Sequence, residues 1–180
     1  MSRLFFGLEI PADIKQRLLR VITPVPGAKW QSLEQLHITL LFLGDVEPGR
    51  VAELCDAVRD IPVEAFELEV TGLGCFGQPR SPRNLWAGVQ PSEPVKVLHD
   101  ALKVSLAGLR YTQENRPFRP HITLARFRKQ RGSVEGLLAS HGDSAFGYFA
   151  VSEIVLFESN QGPSGSVYTV VERFPLAYPS

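Results

Sequence analysis

Several features that commonly announce a function are scarce in this 180-residue chain. Its two cysteines, Cys55 and Cys75, follow no CxxC or other metal-ligand spacing. That speaks against a disulfide scaffold and fits reduced thiols in a cytoplasmic protein. Neither sign of charge dominates, with 19 Lys and Arg against 19 Asp and Glu, so net charge gives no hint of a nucleic-acid or membrane partner. No apolar run approaches the roughly eighteen residues a membrane span needs. Met1 to Ile10 lacks the long apolar region and cleavage site of a secretory signal. We expect a cytoplasmic protein with no membrane partner. No Gly-rich loop ends in Gly-Lys-Ser/Thr, so a nucleoside-triphosphate cradle is missing. Gly72-Leu73-Gly74 is too short for a dinucleotide fingerprint and reads as a bend in a strand. No Gly-x-Ser-x-Gly turn offers a nucleophilic serine.

What is present is a repeat. The chain holds four histidines, and two of them open the same tetrapeptide, His37-Ile38-Thr39-Leu40 and His121-Ile122-Thr123-Leu124. A given histidine is followed by Ile-Thr-Leu by chance roughly once in several thousand trials. In extended chain, alternate side chains share a face. Each motif therefore predicts a strand with Ile and Leu on a core face and an imidazole beside a hydroxyl on the other.

The surrounding pattern repeats as well. Arg3–Ile10 predicts a strand, and Pro11-Ala12-Asp13 opens an amphipathic helix through about Ile22. A Pro/Gly loop follows over Thr23–Ala28. The first motif strand covers Leu36–Leu43, followed by a helix over Val51–Val58. Phe66–Phe76 and Leu85–Val89 predict a strand pair joined by a turn-rich stretch, Gly77–Asn84. The second half offers a helix over about Glu93–Leu109, the motif strand Pro120–Phe127, a helix near Val134–Ser140, and strands over Phe146–Phe157 and Val167–Phe174. His37 and His121 lie 84 positions apart, Phe76 and Phe157 81, and Trp86 and Tyr168 82. The turn Gly77–Ser81 is echoed by Asn160–Ser164.

With 44% hydrophobic residues the chain can bury a core. The expected fold is α+β, one bilobal domain over 1–180 with an internal repeat of approximately 1–90 and 91–180. Each lobe carries an antiparallel sheet with helices on its outer face, around a central cleft. Pseudo-twofold packing would turn the two motif strands' polar faces inward, where ligands commonly bind. The bland alternative is one sheet with two half-exposed, unrelated histidines.

Two facing histidines suit in-line displacement at phosphorus. A neutral imidazole takes a proton from the attacking oxygen while a protonated one supplies the leaving oxygen. Thr39 and Thr123 can hydrogen-bond the non-bridging oxygens. A cyclic phosphodiester fits well, because its own ring oxygen is the leaving group. No metal is required, and no carboxylate or thiol flanks either motif at a convincing ligand spacing.

Arg110, Arg116, Arg119, Arg126, Arg128, Lys129 and Arg131 gather around the second motif against the single acid Glu114. Such a rim could hold a phosphate backbone; the plain alternative is a solvated basic loop. Arg126, near its strand's end, has the reach to meet the scissile phosphate. Trp30, Tyr111 and Phe118 lie in loops approaching the motif strands and are candidates for base stacking, against an ordinary packing role. His99 and His141 lack the threonine partner and read as surface histidines.

The doubled His-x-Thr motif at this spacing resembles the two-histidine (2H) phosphoesterase superfamily. More narrowly, Arg3-Leu-Phe-Phe-Gly-Leu, Trp30 ahead of Leu36-His-Ile-Thr-Leu, Phe42-Leu-Gly and Phe118-Arg-Pro-His-Ile-Thr-Leu-Ala-Arg resemble the bacterial RNA 2′,3′-cyclic phosphodiesterases, also called 2′-5′ RNA ligases. The resemblance spans essentially the whole chain. It implies a bilobal fold with both motifs lining the cleft, and hydrolysis of RNA 2′,3′-cyclic phosphate ends, tRNA fragments included, to 2′-phosphomonoesters. It implies no cofactor. His37 would be the proton donor to the departing 3′ oxygen and His121 the proton acceptor from water. Thr39 and Thr123 carry over as phosphate-oxygen ligands and Arg126 as a substrate contact, and Trp30, Phe118 and Arg119 stand beside it as substrate contacts expected from their own positions. The family also implies reversible, ATP-independent 2′-5′ joining of RNA ends, with the histidines' roles exchanged. A monomer without an obligate protein partner is expected, the pseudo-dimer being built into one chain. Competing readings are an esterase for small cyclic nucleotides or ADP-ribose cyclic phosphate, and a non-catalytic module that binds RNA ends.

Overall fold

A computed structural model describes residues 2–111 and 117–178. Nine strands and four helices run in the order β1 (Ser2–Glu9), α1 (Ala12–Leu19), β2 (Ala28–Trp30), β3 (His37–Val46), α2 (Val51–Val58), β4 (Phe66–Gln78), β5 (Ser81–Gln90), α3 (Glu93–Leu106), β6 (His121–Phe127), α4 (Glu135–His141), β7 (Ala145–Val151), β8 (Glu153–Gly162) and β9 (Gly165–Pro175).

Local sequence explains most boundaries. Pro11 precedes α1, where its missing N–H costs nothing. Ile14 and Leu18, four apart, are the helix's buried residues. The predicted end at Ile22 is reached in a tighter form, with Arg20, Val21 and Ile22 each bonding the carbonyl three residues back. In α3, Val95, Leu98, Leu102 and Leu106 form the buried stripe. The last predicted turn, Ala107–Leu109, is 3₁₀, and Arg110 at φ 61° ends it in the left-handed region. α2 has the predicted limits and buries Leu54, Cys55 and Val58, which gives Cys55 its expected packing role.

Three expectations need correction. Phe146–Phe157 is two strands that break at Ser152, because β7 pairs with β4 and β8 with β1. Val151 and Ile154 are buried on either side of the break, and the polar pair Ser152-Glu153 between them marks it. The region after the Pro/Gly loop is a short strand, β2, pairing Ala28–Trp30 with Phe127–Ala125. The turn-rich stretch Gly77–Asn84 is mostly strand. Gly77, at φ 87° beside a register shift, lets pairing run on to Gln78 and Ser81, leaving Pro79 and Arg80 as the turn. The echoed stretch does the same, with Gly162 paired to Gly165.

The strands form one antiparallel sheet in the order β7-β4-β5-β6-β3-β1-β8-β9, with β2 added beside β6. At its middle β3 and β6 pair only through Ile38 and Ile122, so the strands part on either side of that rung. Two four-stranded halves result: β4, β5, β6 and β7 come from the middle of the chain, while β1 and β3 from its start join β8 and β9 from its end. The helices interleave, α1 packing on β7, α4 on β4, and α3 on β3 and α2. One main core spans both halves. Phe6, Ile14, Leu18, Ile38, Leu40, Leu54, Leu85, Leu98, Leu102 and Ile122 all belong to it and are almost fully buried. At roughly 25 cal/mol per Å² of apolar surface, this shared burial makes independent folding of the halves unfavourable. Among the described residues no helix is long and apolar enough to cross a membrane.

Candidate active site

β3 and β6 place the two motifs on either side of the single Ile38–Ile122 rung. Ile38, Leu40, Ile122 and Leu124 are buried in the core, while His37, Thr39, His121 and Thr123 are half-buried on the opposite, cleft face. Both strands then break strict alternation at the same point. In the β1–β3 ladder Gly7 faces Thr39 and Phe6 faces Leu41, leaving Leu40 without an opposite. In the β5–β6 ladder Trp86 faces Thr123 and Leu85 faces Ala125, leaving Leu124 likewise. Such a bulge carries the next residues to the other parity. Leu41 and Leu43 turn inward with Leu40, as do Ala125 and Phe127 with Leu124. Phe42 and Arg126, both exposed, thereby join the histidine face. Strict period two would have pointed Arg126 into the core.

The hydrogen bonds fix each ring. His37 Nδ1 lies 2.7 Å from the Gln35 carbonyl, and His121 Nδ1 lies 2.6 Å from the Arg119 carbonyl. A carbonyl only accepts, so Nδ1 carries the proton in both and the bare nitrogen of the neutral ring is Nε2. The Thr39 hydroxyl, 2.7 Å from His37 Nε2, donates to it. Among the described residues His121 Nε2 has no such partner. Gln35, which the sequence did not single out, is itself held, its side chain donating to the Ser166 carbonyl of β9 at 2.9 Å. The β8–β9 hairpin thus braces the residue whose carbonyl orients His37.

The surroundings differ between the halves. His37 sits among three aromatic rings, Phe5 at 5.0 Å between centroids, Tyr168 at 5.0 Å and Phe157 at 6.0 Å, and Phe42 packs against Phe5 at 5.8 Å. Phe5, Val155 and Phe157 form a small second buried cluster on this face, with Tyr168 against it. Burial pushes His37 down from 6.5 to about 4, aided by the positive charges of Arg126 and Lys15 and by His121, and opposed by the Gln35 carbonyl. His121 meets Phe76 at 5.1 Å and Trp86 at 6.1 Å. Its pKa is lowered too, first by burial and then by Arg126, against the raising effect of the Arg119 carbonyl. Arg126 therefore acts electrostatically on both imidazoles. Gly74 makes this side possible, since a Cβ there would run into the Trp86 ring.

The other sequence candidates are placed differently. Arg119 contributes its carbonyl to His121, while its side chain is exposed. Trp30 lies in β2 opposite Ala125, half-buried and packed against the core. Phe118 stacks on His99 at 4.1 Å, the planes 2° apart. His99 is not a plain surface residue. It is half-buried and donates from Nδ1 to the Leu40 carbonyl at 2.7 Å, at the bulge itself. Tyr111 packs under the Arg50 guanidinium at 4.8 Å. His141 bonds Ser144 Oγ at 3.1 Å. Arg110, Arg128, Lys129 and Arg131 are exposed, and Arg116 and Glu114 lie outside the described residues. Among the described residues no three His, Cys, Asp or Glu side chains are grouped to hold a metal ion.

A curled antiparallel sheet whose central strands each present His-x-Thr to one cleft defines a two-histidine phosphoesterase. Comparison with known proteins gives the family. The LigT like Phosphoesterase family matches residues 8–86 and 88–168, and the chain belongs to it. Relatives named RNA 2′,3′-cyclic phosphodiesterase include one from Archaeoglobus fulgidus, 28% identical with 96% of this chain and 99% of the relative covered. Another, from Methanothermobacter thermautotrophicus, is 30% identical with 97% and 98% covered. A third, from Geobacillus stearothermophilus, is 32% identical over 97% of this chain, which spans 57% of that relative's length. The crystal structure of E. coli LigT with 3′-AMP superposes with a TM-score of 0.81 at 28% identity, covering 97% and 98% of the two chains.

Proposed function

We propose that the protein hydrolyses 2′,3′-cyclic phosphate ends of RNA to 2′-phosphomonoesters without a metal. His37 acts as proton donor and His121 as proton acceptor. The observation that carries this reading is the pair of His-x-Thr faces on one cleft, each ring presenting Nε2 with Nδ1 tied to a carbonyl. The names of the relatives supply the substrate class.

Water attacks phosphorus in line with the 3′ oxygen. His121 Nε2, free of a protein partner among the described residues, takes the water proton as the new P–O bond forms. The P–O3′ bond breaks, and the proton on His37 Nε2 passes to O3′, leaving the phosphate on O2′. Protonation of His37 Nε2 frees the Thr39 hydroxyl from donating to it, so that Thr39 and Thr123 donate to the non-bridging oxygens and Arg126 balances their charge. His37 begins neutral at pH 7, because about 4 is far below that pH. The phosphodiester anion supplies the charge that raises it, so donor competence arrives with the substrate. Replacement of water by a 5′ hydroxyl yields a 2′-5′ bond by the same steps, and its reversal exchanges the two histidines' roles.

The exposed cations Arg126, Arg128 and Lys129 at and beyond the end of β6 favour a polymeric substrate over a small cyclic nucleotide. The test is EDTA-treated protein with a short RNA ending in 2′,3′-cyclic phosphate, the product identified by phosphatase sensitivity and mass. A 2′-phosphate is expected, with kcat/KM rising with RNA length. RNA recovered unchanged across a wide pH range would overturn the reading in favour of a binding module. Turnover that ignores length would favour the small cyclic nucleotides.

A further inference from the structure

We propose that Lys29 and Asn84, which flank Arg126 on the strands to either side, form a subsite for the phosphodiester that joins the terminal nucleotide to the rest of the RNA. The inference rests on the reading of the cleft as a cyclic phosphodiesterase site, and it assigns a part of a polymeric substrate that the histidines and threonines do not touch.

β2, β6 and β5 lie side by side, and one rung crosses all three: Lys29 faces Arg126, and Arg126 faces Asn84. Residues directly opposite in an antiparallel pair point to the same face, with Cβ atoms about 5 Å apart. The bulge that turns Arg126 to the cleft therefore sets the face of the whole row. Burial agrees. Ala125, Phe127, Leu85 and Ala87 are buried on the core face, while Lys29 and Arg126 are exposed and Asn84 is half-buried. Asn84 also shares its face with Trp86, whose ring meets His121.

The amide of Asn84 has a fixed polarity. The Phe76 N–H donates to it at 3.1 Å, and an N–H binds only an acceptor, so the bonded atom is Oδ1. Its NH2 group points away from β4, toward the side of Arg126, and among the described residues no acceptor takes it. Lys29 comes from the other side. A Cβ built on Gly165 would lie 3.2 Å from Lys29 Nζ and 3.4 Å from Gln35 Nε2, so the ammonium stands beside the residue whose carbonyl orients His37. Among the described residues neither Lys29 nor Arg126 has a carboxylate within salt-bridge distance. Three donor groups in one row, with no acid among them, suit an anion.

Two relations decide which anion. Along β5, Asn84 lies two residues beyond Trp86, the partner of Thr123, which puts the row about 7 Å past the Thr123 rung. Arg126 spans that gap with its long side chain. The two-carbon amide of Asn84 does not, so it serves a second phosphate. Because β3 and β6 are antiparallel, the end of β6 that carries Arg126 runs beside the start of β3, where His37 stands. That is the side to which O3′ departs, and the second phosphate therefore belongs to the strand that carries the cyclic end rather than to an incoming one.

The test uses two isomers of one trinucleotide that ends in 2′,3′-cyclic phosphate and is 2′-O-methylated at its first two nucleotides. Each has a single uncharged methylphosphonate linkage, next to the terminal nucleotide in one isomer and one nucleotide further away in the other. Net charge is the same, so the ratio of their kcat/KM values reads position alone. Wild type should favour the isomer whose adjacent linkage is charged by about 10-fold, the scale of a hydrogen bond to a charged group. Asn84→Leu and Lys29→Gln should each cut that preference about 3-fold, the contact being shared along the row, and Lys29→Arg should keep it. A general disturbance of the fold or of His121 slows both isomers and cancels in the ratio. Equal rates in wild type, or a preference that survives both Asn84→Leu and Lys29→Gln, would overturn the subsite and leave hydrolysis standing. Calorimetric binding of the same isomers ending in 2′-phosphate gives a readout without turnover. A binding preference that Asn84→Leu weakens, in a protein that hydrolyses neither cyclic isomer, would keep the subsite and discard hydrolysis. Absence of both turnover and binding preference would overturn both.

Discussion

The two sides of the cleft begin from the same four residues and end as different chemical environments. On one side His37 stands among Phe5, Phe157 and Tyr168, with its Nε2 taken by Thr39. On the other His121 meets Phe76 and Trp86, and its Nε2 has no partner among the described residues. The strand beside β3 is β1, which contributes Phe5, whereas the strand beside β6 is β5, which contributes Trp86. Identical tetrapeptides thus acquire different acidities from neighbours that lie far away in the sequence. A symmetric motif leaves its two histidines equivalent, and the packing around it makes them differ.

Removing either imaginable partner is the strongest test of that asymmetry. His37→Ala and His121→Ala should each lower kcat by about 10²–10⁴-fold, with circular dichroism and melting close to wild type. A variant retaining near-normal turnover would remove its histidine from the reaction. A leaving group of low pKa should rescue His37→Ala and leave His121→Ala impaired, because it departs without a proton. Equal rescue of both would erase the proposed division of labour.

Thr39→Ala and Thr123→Ala should come next, each losing about 10- to 100-fold in kcat as a donor to the developing charge is removed. Only Thr39→Ala should also move His37 in an NMR titration, since only that hydroxyl occupies an imidazole nitrogen. A matching shift of His121 in Thr123→Ala would make the two sides equivalent after all.

Arg126→Gln should raise KM about 10-fold and reduce the salt dependence of RNA binding by about one phosphate contact. The same change removes a positive charge that lowers both histidines, so both should titrate at higher pH. A shift confined to one ring would place Arg126 on that side alone.

The smallest effect is on stability. His37 titrates at about 4 in the folded protein and at 6.5 in its ordinary state. Between those values the unfolded chain binds more protons, so stability is full above about 6.5 and falls as pH drops toward 4. The slope from this one group is at most about 1.4 kcal/mol per pH unit. His37→Gln should flatten the pH dependence of Tm in that window more than His121→Gln does. Equal flattening would contradict the difference in burial.

Much of this was legible in the chain. The repeat placed both motif strands, the limits of α2 followed from its apolar spacing, and the echoed turns at Pro79 and Pro163 close the two long hairpins. The period-two rule also assigned His and Thr to one face. It failed three residues later, because a bulge depends on how many residues the neighbouring strand offers, and no local pattern at Leu40 or Leu124 announces that count. The exposure of Phe42 on the cleft face was therefore not foreseen, while Trp30 and Phe118 drew notice as loop aromatics and have partners already. Gln35 was missed for a related reason: its contribution is a backbone carbonyl, which every residue possesses.

The sequence by itself determined the motif strands, their inward and outward faces and the chemistry their side chains can perform, because alternation and residue type are local properties. Only the tertiary structure decided which strands flank each motif, where the bulges fall, and how deeply each imidazole is withdrawn from water. Those outcomes depend on pairings between residues more than a hundred positions apart, such as Phe5 with Phe157, and proton affinity follows the dielectric and charge that such pairings create.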